Sequence, residues 1–200
     1  MNLPRVYAIV DSAAWVRRLT ALGVRLVQLR IKGQPPAHVR AEICAARMVC
    51  AAAGAQLIVN DYWQLALESG CDFVHLGQGD LATADVAALR RAGVRLGIST
   101  HDESELERAL AHTPDYVALG PIYPTLLKVM PWRPQGLERI GEWKRRIGTL
   151  PLVAIGGLTL ERLPGVFAAG ADVAAVVTDI LRAAHPEARV LGWLAVAAAA

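Results

Sequence analysis

The sequence is poor in cysteine, phenylalanine and lysine, although 54% of its 200 residues are hydrophobic. Its three cysteines, Cys44, Cys50 and Cys71, are odd in number and show no CxxC spacing, which argues against a disulfide framework and a thiolate metal site. Their apolar surroundings predict reduced packing residues. A chain of this size and composition can bury one large core, so we expect a single domain over residues 1–200.

Long apolar runs and a strong excess of one charge are also missing. No uncharged apolar run reaches the roughly 20 residues that cross a bilayer, and residues 1–11 lack the basic start and apolar stretch of a signal peptide. The net charge is only +3, and the paired arginines are scattered without interleaved aromatic residues. We therefore predict a soluble, cytoplasmic protein that binds neither membranes nor nucleic acids.

Lysine occurs only at Lys32, Lys128 and Lys144, and arginine supplies the other basic side chains. Lys32 and Lys128 lie in loops beside other polar residues. Because the compact ammonium group of lysine is not interchangeable with the planar fork of arginine, these two lysines are candidates for point-charge contacts to phosphate.

Short β-rich runs alternate with helical patterns along the chain. The predicted strands are Val6–Val10, Val24–Leu29, Gln56–Val59, Phe73–Leu76, Arg95–Ile98, Tyr116–Leu119, Leu152–Ile155 and Val173–Val177. The predicted helices are Ala13–Leu22, Pro36–Ala53, Tyr62–Ser69, Thr83–Ala92, Glu103–Ala111, Leu137–Ile147, Leu160–Ala168 and Glu187–Ala199. Eight strand–helix units predict an α/β fold with a parallel sheet closed into a (β/α)8 TIM barrel. An open doubly wound sheet is the alternative, but its glycine-rich first turn is absent from "VDSAAW".

Polar residues gather where the predicted strands end, at the face that carries the active site in such barrels. Cations and two carboxylates follow the second to fourth strands, namely Arg30, Lys32, Asp61 and Asp80. The pair Gly156–Gly157 and Thr178 follow the last two strands, where barrels often bind phosphate. This pattern predicts a magnesium-bridged polyphosphate site and a second phosphate site, because Mg²⁺ usually takes one or two carboxylates together with phosphate oxygens.

Simpler interpretations exist for several of these residues. Asp61 could cap the helix that begins near Tyr62, and Asp80 could cap the turn before Thr83. Strand–turn–helix junctions need glycine in any case. His75 alternates with apolar neighbours, which favours a hydrogen-bonded histidine lining the barrel over a ligand or base. His101 is expected to begin the "HDESELE" helix.

The stretch "GPIYPTLLKVMPW", residues 120–132, carries three prolines directly after the sixth predicted strand. Proline fixes φ and suits neither a helix interior nor a central strand, so this segment is predicted to be a stiff loop. Thr125 and Lys128 are the polar groups that such a loop would hold in place.

At these positions the sequence resembles the thiamin phosphate synthase family. The matching segments, in chain order, are "YAIVDS", "VQLRIK", "LIVNDYWQLA", "VHLGQGDL", "LGISTHD", "DYVALGPIYPT", "PQGLE", "VAIGGL" and "GADVAAVVT". The resemblance implies a transferase of thiamine biosynthesis that joins aminomethylpyrimidine diphosphate to thiazole phosphate, or its carboxylated form, with release of diphosphate. It further implies that diphosphate leaves first and that the thiazole nitrogen then attacks a carbocation.

The resemblance also implies roles for individual residues. The contacts to the pyrimidine diphosphate would come from Gln28, Arg30, Lys32, Asn60, Ser99 and Lys128. The Mg²⁺ ligands would be Asp61 and Asp80. The contacts to the thiazole phosphate would come from Thr125, Gly157, Val177 and Thr178. Further substrate-binding positions would be Leu29 and Ile31, in "VQLRIK", and Leu126 and Leu127, directly after "DYVALGPIYPT". Catalysis would depend on Arg30, Lys32, Ser99 and Lys128.

Two positions depart from the family pattern. Thr178 replaces a common serine and keeps the hydroxyl, whereas Leu127 replaces a second threonine and loses a donor. One alternative function is a thiazole tautomerase, which is disfavoured because Pro121, not histidine, follows Gly120. Another is a non-catalytic barrel that binds thiazole phosphate, which Leu127 favours. The sequence leaves the oligomeric state open, a homo-oligomer being one outcome.

Overall fold

A computed structural model describes residues 3–125 and 132–199 of the chain and has the predicted barrel. Its strands are β1 (Val6–Val10), β2 (Leu26–Leu29), β3 (Gln56–Asn60), β4 (Phe73–Leu76), β5 (Arg95–Thr100), β6 (Tyr116–Leu119), β7 (Leu152–Ile155) and β8 (Val173–Val176). Each strand pairs in parallel with the next, and β8 closes on β1 with Val6 opposite Ala174. The prediction of a (β/α)8 barrel is confirmed.

Helices connect the strands on the outside of the barrel. They are α1 (Ala13–Ala21), α2 (Pro36–Ala53), α3 (Trp63–Glu68), α4 (Gln78–Leu81), α5 (Val86–Arg91), α6 (Glu103–Ala111), α7 (Gly136–Ile147), α8 (Leu163–Ala168), α9 (Thr178–Leu181) and α10 (Pro186–Ala199). A 3₁₀ turn over Leu160–Arg162 precedes α8. Among the described residues, no helix is both long and apolar enough to span a bilayer.

The element boundaries differ from the predictions at a few places. Strand β2 begins at Leu26, not Val24, because the Val24 N–H still donates to the Leu19 oxygen at the end of α1. The prediction missed α4 and α9, which have only four residues each and therefore show no helical period. Both short helices lie at the strand ends where the candidate site is found.

Two hydrophobic cores flank the strands. One fills the barrel interior and contains the rings of Tyr7, Phe73 and Tyr116; the other lies between the strands and the helices. Gly97 on β5 is required in the interior, because a Cβ there would overlap the Tyr116 ring. Burial of a side chain such as Phe73 stabilises the fold by roughly 1.5 to 3 kcal/mol.

Ion pairs hold the face where the strands begin. Asp72 lies 2.6 Å from Arg95, Asp115 lies 2.9 Å from Arg90, and Asp172 lies 2.7 Å from Lys144. Two of these aspartates also accept main-chain N–H groups at the start of β5 and β7. Lys144 therefore has a structural partner at this face, whereas Lys32 lies at the opposite one.

Candidate active site

A cavity of about 580 Å³ opens at the face where the strands end. Most of the predicted site residues within the described ranges line it, namely Gln28, Arg30, Lys32, Asn60, Asp61, Asp80, Ser99, Thr125, Gly157, Val177 and Thr178. Because the strands follow one another around a closed barrel, the ends of β2–β4 form one half of the cavity wall and the ends of β7 and β8 belong to another part. We call the first the charged half and the second, with its glycines, the glycine half.

The charged half brings the two predicted metal ligands together. Asp61 has a left-handed backbone (φ 64°) and forms an ion pair with Lys32. Asp80 lies on α4 and borders the same cavity. Burial raises the pKa of Asp80, and the neighbouring Asp61 carboxylate raises it further, whereas Lys32 lowers it. The two carboxylates are therefore close enough to repel one another when both are ionised.

This donor set fits a magnesium ion. Within the described ranges, no group of three or more His, Cys, Asp or Glu side chains could hold a metal. Two adjacent carboxylates suit Mg²⁺, since this ion takes hard oxygen ligands and completes its shell with phosphate oxygens and water. Asp61 and Asp80 would hold it.

The interpretation of these aspartates as helix caps is not supported by the structure. Helix α3 begins after Tyr62 and has no side-chain cap. The turn after α4 is closed by the main-chain oxygen of Asp80, which accepts hydrogen bonds from the N–H and the hydroxyl of Thr83 at 3.2 Å each. The Asp80 carboxylate therefore remains beside the cavity.

The glycine half is built by close approach of two backbone segments. Ile122 N–H donates to the Ile155 oxygen at 2.9 Å, and Tyr123 N–H donates to the Gly156 oxygen at 3.0 Å. Both Gly156 (φ 99°) and Gly157 (φ 64°) have left-handed backbones. A Cβ on Gly157 would lie 2.8 Å from the Tyr123 Cβ, so neither conformation nor space allows another residue there.

Thr178 begins α9, and the next residue anchors that short helix. Asp179 Oδ2 accepts hydrogen bonds from Trp193 Nε1 at 2.7 Å and from the Leu160 N–H at 3.2 Å. Arg162 donates to the Gly157 oxygen and lies over the Tyr123 ring at 4.2 Å. These contacts hold the glycine turn and the Thr178 hydroxyl on the same side of the cavity.

A buried hydrogen-bond chain runs beneath the cavity and joins β2, β1, β6, β4 and β5. Gln28 Nε2 donates to the Tyr7 hydroxyl at 2.7 Å, and the hydroxyls of Tyr7 and Tyr116 lie 3.0 Å apart. The Tyr116 hydroxyl lies 2.7 Å from His75 Nδ1, and His75 Nε2 lies 2.8 Å from Ser99 Oγ. Burial lowers the pKa of His75 to about 4, and nearby Arg30 also lowers it, although Asp61 acts in the opposite direction. The interpretation of His75 as a hydrogen-bonded histidine lining the barrel is confirmed.

The described end of the proline-rich loop is anchored on α6. The Trp132 ring stacks on His101 with centroids 5.4 Å apart, and Gln135 Nε2 donates to the His101 oxygen at 2.8 Å. His101 directly precedes Asp102, whose carboxylate caps α6 by accepting from the Glu105 N–H at 2.9 Å. His101 therefore stands at the start of this helix, as predicted.

Comparison with known proteins assigns this barrel to a family. The sequence profile described as thiamine monophosphate synthase matches residues 6–180. The chain is 63% identical over 198 residues to a thiamine-phosphate synthase of Rhizobium etli, a match that covers 99% of this chain and 97% of the relative. The chain belongs to the thiamine monophosphate synthase family. The predicted resemblance is thus confirmed, and with it the expectation of a thiamin phosphate synthase, a transferase, at the level of the family.

Two further matches agree with membership in the thiamine monophosphate synthase family. The thiamine-phosphate synthase of Klebsiella pneumoniae is 47% identical over 194 residues, covering 97% of this chain and 92% of the relative. The solved structure of a thiamine phosphate pyrophosphorylase from Pyrococcus furiosus superposes with a TM-score of 0.88 and covers 99% of this chain and 97% of that one. Because that protein is only 23% identical, this likeness supports the fold alone.

Two groups of predicted positions are not found among the residues that line the cavity. The side chains of Leu29 and Ile31 pack in the core between strands and helices; Leu29 does so because alternation along β2 points it away from the barrel axis, and Ile31 follows that strand. Leu126, Leu127 and Lys128 lie outside the described residues, so their assignments stay predictions. The substrate contacts of the remaining positions, the oligomeric state and the cytoplasmic location also stay predictions.

Sequence reasoning missed the roles of Tyr7, Tyr116 and Gln78. The two tyrosines lie on strands that are distant in the sequence, and only the closed barrel brings their hydroxyls together. Alternation along β1 and β6 could have placed both rings inside the barrel, but not in contact. Gln78 Nε2 donates to the Ser99 oxygen at 2.7 Å, and Gln78 lies on one of the short helices that have no helical period.

Proposed function

We propose that this member of the thiamine monophosphate synthase family joins aminomethylpyrimidine diphosphate to thiazole phosphate, or its carboxylated form, and releases diphosphate. The observation that supports it most is that one cavity is lined by two regions of different chemistry, the charged half and the glycine half, each of which could hold a phosphate group. A reaction between two phosphorylated substrates needs both. A single-substrate phosphate enzyme would need only one.

In this proposal the charged half receives the diphosphate. Arg30 and Lys32 supply positive charge, and Asp61 and Asp80 would hold Mg²⁺. When bound, the ion would supply neutralisation of the charge that develops on the leaving diphosphate. The ion pair between Lys32 and Asp61 keeps the ammonium group beside the position where that charge appears.

The glycine half receives the phosphate of the thiazole. Gly157 allows the turn after β7 to approach the backbone of Tyr123, and Thr178 and Thr125 bring hydroxyl groups to the same cavity. The closed barrel then holds the two substrates at fixed positions across one space, which converts their encounter into a reaction between neighbours.

No general base is required in this reaction. His75 is the buried histidine closest to that role, but each of its ring nitrogens faces a hydroxyl partner of this chain. Departure of diphosphate leaves a cation on the pyrimidine methylene, and the thiazole nitrogen attacks it with its own electron pair. The chain's task is then to stabilise the leaving group, position the substrates and exclude water.

The test is turnover with both substrates, measured as thiamin phosphate and diphosphate formed in equal amounts. We expect product only when both substrates and Mg²⁺ are present, and loss of activity in EDTA that Mg²⁺ restores. Isomerisation of a thiazole precursor without the diphosphate would instead favour a tautomerase. Thiazole phosphate binding with no product under any condition would favour the non-catalytic barrel.

A further inference from the structure

The buried chain beneath the cavity is built from groups that the proposed mechanism does not use. Tyr7 and Tyr116 are 1% and 0% exposed, and His75 is 7% exposed. The Tyr116 ring stacks on His75 with centroids 5.6 Å apart and meets the Tyr7 ring edge-on at 6.1 Å. Three polar groups packed so tightly in an apolar barrel are costly unless every hydrogen bond is satisfied. The chain ends at Gln28 and Ser99, which both line the cavity.

We infer that the hydrogen bonds of this buried hydrogen-bond chain all point in one direction, from Gln28 to Ser99, so that the Ser99 hydroxyl is held as a hydrogen-bond donor to the substrate. The inference rests on the proposed function only for the identity of that substrate, the pyrimidine diphosphate. It makes Tyr7, Tyr116 and His75 positioning residues that act through Ser99.

The direction follows from the chemistry of each group in turn. An amide nitrogen can only donate, so the Tyr7 oxygen accepts from Gln28 Nε2. Among the described residues, the Tyr7 hydrogen has no acceptor other than the Tyr116 oxygen, so both phenol hydrogens are used only if Tyr7 donates to Tyr116 and Tyr116 donates to His75 Nδ1. His75 Nδ1 must therefore carry no proton.

The protonation states of the buried groups agree with this direction. Burial raises the pKa of both phenols above the ordinary value, so both keep their hydrogens. Because His75 Nδ1 accepts the Tyr116 hydrogen, the ring cannot be doubly protonated, since both nitrogens of an imidazolium donate. A neutral ring with a bare Nδ1 carries its proton on Nε2 and donates it to Ser99 Oγ.

Ser99 Oγ then accepts from His75, and its own hydrogen is available to the cavity that Ser99 lines. Among the described residues, none accepts that hydrogen. A hydroxyl already aimed as a donor suits an acceptor atom of the pyrimidine diphosphate and needs no reorientation when the substrate binds. Loss of the preset direction should reduce the rate more than it reduces binding of the thiazole phosphate.

The first experiment measures the tautomer of His75 in the ligand-free wild-type protein. Long-range ¹H–¹⁵N correlation spectra of histidine-labelled protein near pH 7 report which ring nitrogen carries the proton, and His75→Gln identifies the signal. We expect the Nε2–H tautomer. The Nδ1–H tautomer or a doubly protonated ring would overturn the inference, because Nδ1 would then donate to the Tyr116 oxygen instead of accepting from it.

The second experiment removes single hydroxyls. Tyr116→Phe deletes the donor to Nδ1 and should shift the tautomer equilibrium of His75. The control Tyr62→Phe changes a tyrosine that is not part of the hydrogen-bond chain and should leave the equilibrium unchanged. Tyr7→Phe acts one step further away and should give a smaller shift of the same kind. Unchanged spectra in folded Tyr116→Phe and Tyr7→Phe proteins would overturn the inference. If Tyr116→Phe does not fold, Tyr7→Phe and the wild-type tautomer still decide the question.

The third experiment is a double-mutant cycle with Ser99→Ala. Tyr116→Phe alone should lower kcat about tenfold, the value of roughly one hydrogen bond to a charged group, with the KM for thiazole phosphate unchanged within twofold. In the Ser99→Ala background the same change should have little further effect, since the two residues act as a unit. Additive losses would overturn the inference while leaving the proposed function intact. If the wild type makes no product, the proposed function fails, and the tautomer measurements alone decide the inference.

Discussion

The two halves of the cavity offer an anion different kinds of group. The charged half presents side chains: Arg30, Lys32 and two carboxylates, of which Asp61 raises the pKa of Asp80. The glycine half uses the main chain, because Gly156 and Gly157 leave room where a Cβ would overlap a neighbouring segment. The first half is therefore sensitive to loss of charge, and the second to gain of volume.

This difference would suit the two chemical tasks of the proposed reaction. A leaving diphosphate gains charge during the reaction, so it needs cations whose attraction grows with that charge. The phosphate of the thiazole does not change and needs only a fixed position, which rigid backbone and a hydroxyl on a short anchored helix supply.

The largest effect is expected from the carboxylates. Asp61→Asn and Asp80→Asn should each lower turnover about a hundredfold or more, since electrostatic stabilisation of the leaving group is the main catalytic contribution. Because the two carboxylates repel one another, the metal-free Asp80→Asn protein should be no less stable in urea than the wild type. The measurement is turnover as a function of Mg²⁺ concentration, beside equilibrium unfolding.

Asp72→Asn is the control for the carboxylate variants, because Asp72 pairs with Arg95 at the opposite face of the barrel. Asp72→Asn should change the free energy of unfolding and leave turnover unchanged. Full activity of the wild type in EDTA, or equal activity of the Asp61 and Asp72 variants, would contradict the assignment of Asp61 and Asp80 as metal ligands.

The next largest effect is expected from Gly157→Ala. The alanine would have to adopt the left-handed backbone conformation of Gly157, and its Cβ would lie 2.8 Å from the Tyr123 Cβ. Gly54→Ala is a matched control, since Gly54 has a similar φ of 61° but nothing within 4 Å of the added atom. The control should lose about 1 to 3 kcal/mol of stability from backbone strain and keep its activity.

Gly157→Ala should lose more stability than the control and should also raise the KM for thiazole phosphate. Steady-state kinetics with each substrate varied in turn, together with urea unfolding of both variants, give the comparison. If Gly157→Ala raises only the KM for the pyrimidine diphosphate, the assignment of the glycine half is wrong.

A smaller and more selective effect separates the halves directly. Arg30→Ala should lower kcat/KM for the pyrimidine diphosphate about ten- to a hundredfold, because a hydrogen bond to a charged group contributes roughly 1.5 to 3 kcal/mol. Thr178→Ala should lower kcat/KM for the thiazole phosphate about tenfold and change kcat/KM for the pyrimidine diphosphate little. Equal effects on both substrates for either variant would mean that the cavity is not divided in this way.

The sequence predicts the charged half better than it predicts the groups beneath it. The loops after β2–β4 carry charged residues, one of them among the three lysines of the sequence, and the order of strands around a barrel places them together. The buried hydrogen-bond chain could not be predicted in this way, because Tyr7 and Tyr116 look like ordinary residues of apolar strands in the sequence. Their contact depends on the register of pairs between strands, which local patterns do not contain.

The short helices show the same limit at the level of secondary structure. Most strand boundaries agree within a residue or two, because a buried parallel strand is a compact apolar run between turns. Helices α4 and α9 have one turn each, and tertiary contacts such as those of Asp179 hold them. Single turns of this kind have no period to detect, although they carry Asp80 and Thr178.

The smallest effect concerns Leu127, which lies outside the described residues and between the two polar groups of the proline-rich loop, Thr125 and Lys128. The family resemblance implies threonine at this position, so the natural chain lacks one hydroxyl that could meet the thiazole phosphate. Leu127→Thr should therefore raise kcat/KM for thiazole phosphate, by up to about tenfold, because one hydrogen bond to a charged group is added. The constant for the pyrimidine diphosphate should stay the same, since its contacts come from the charged half. Kinetics of Leu127→Thr beside the size-matched Leu127→Val variant separate the hydroxyl from the change of shape, and a gain in both variants, or a loss in the threonine variant, would make Leu127 a packing residue.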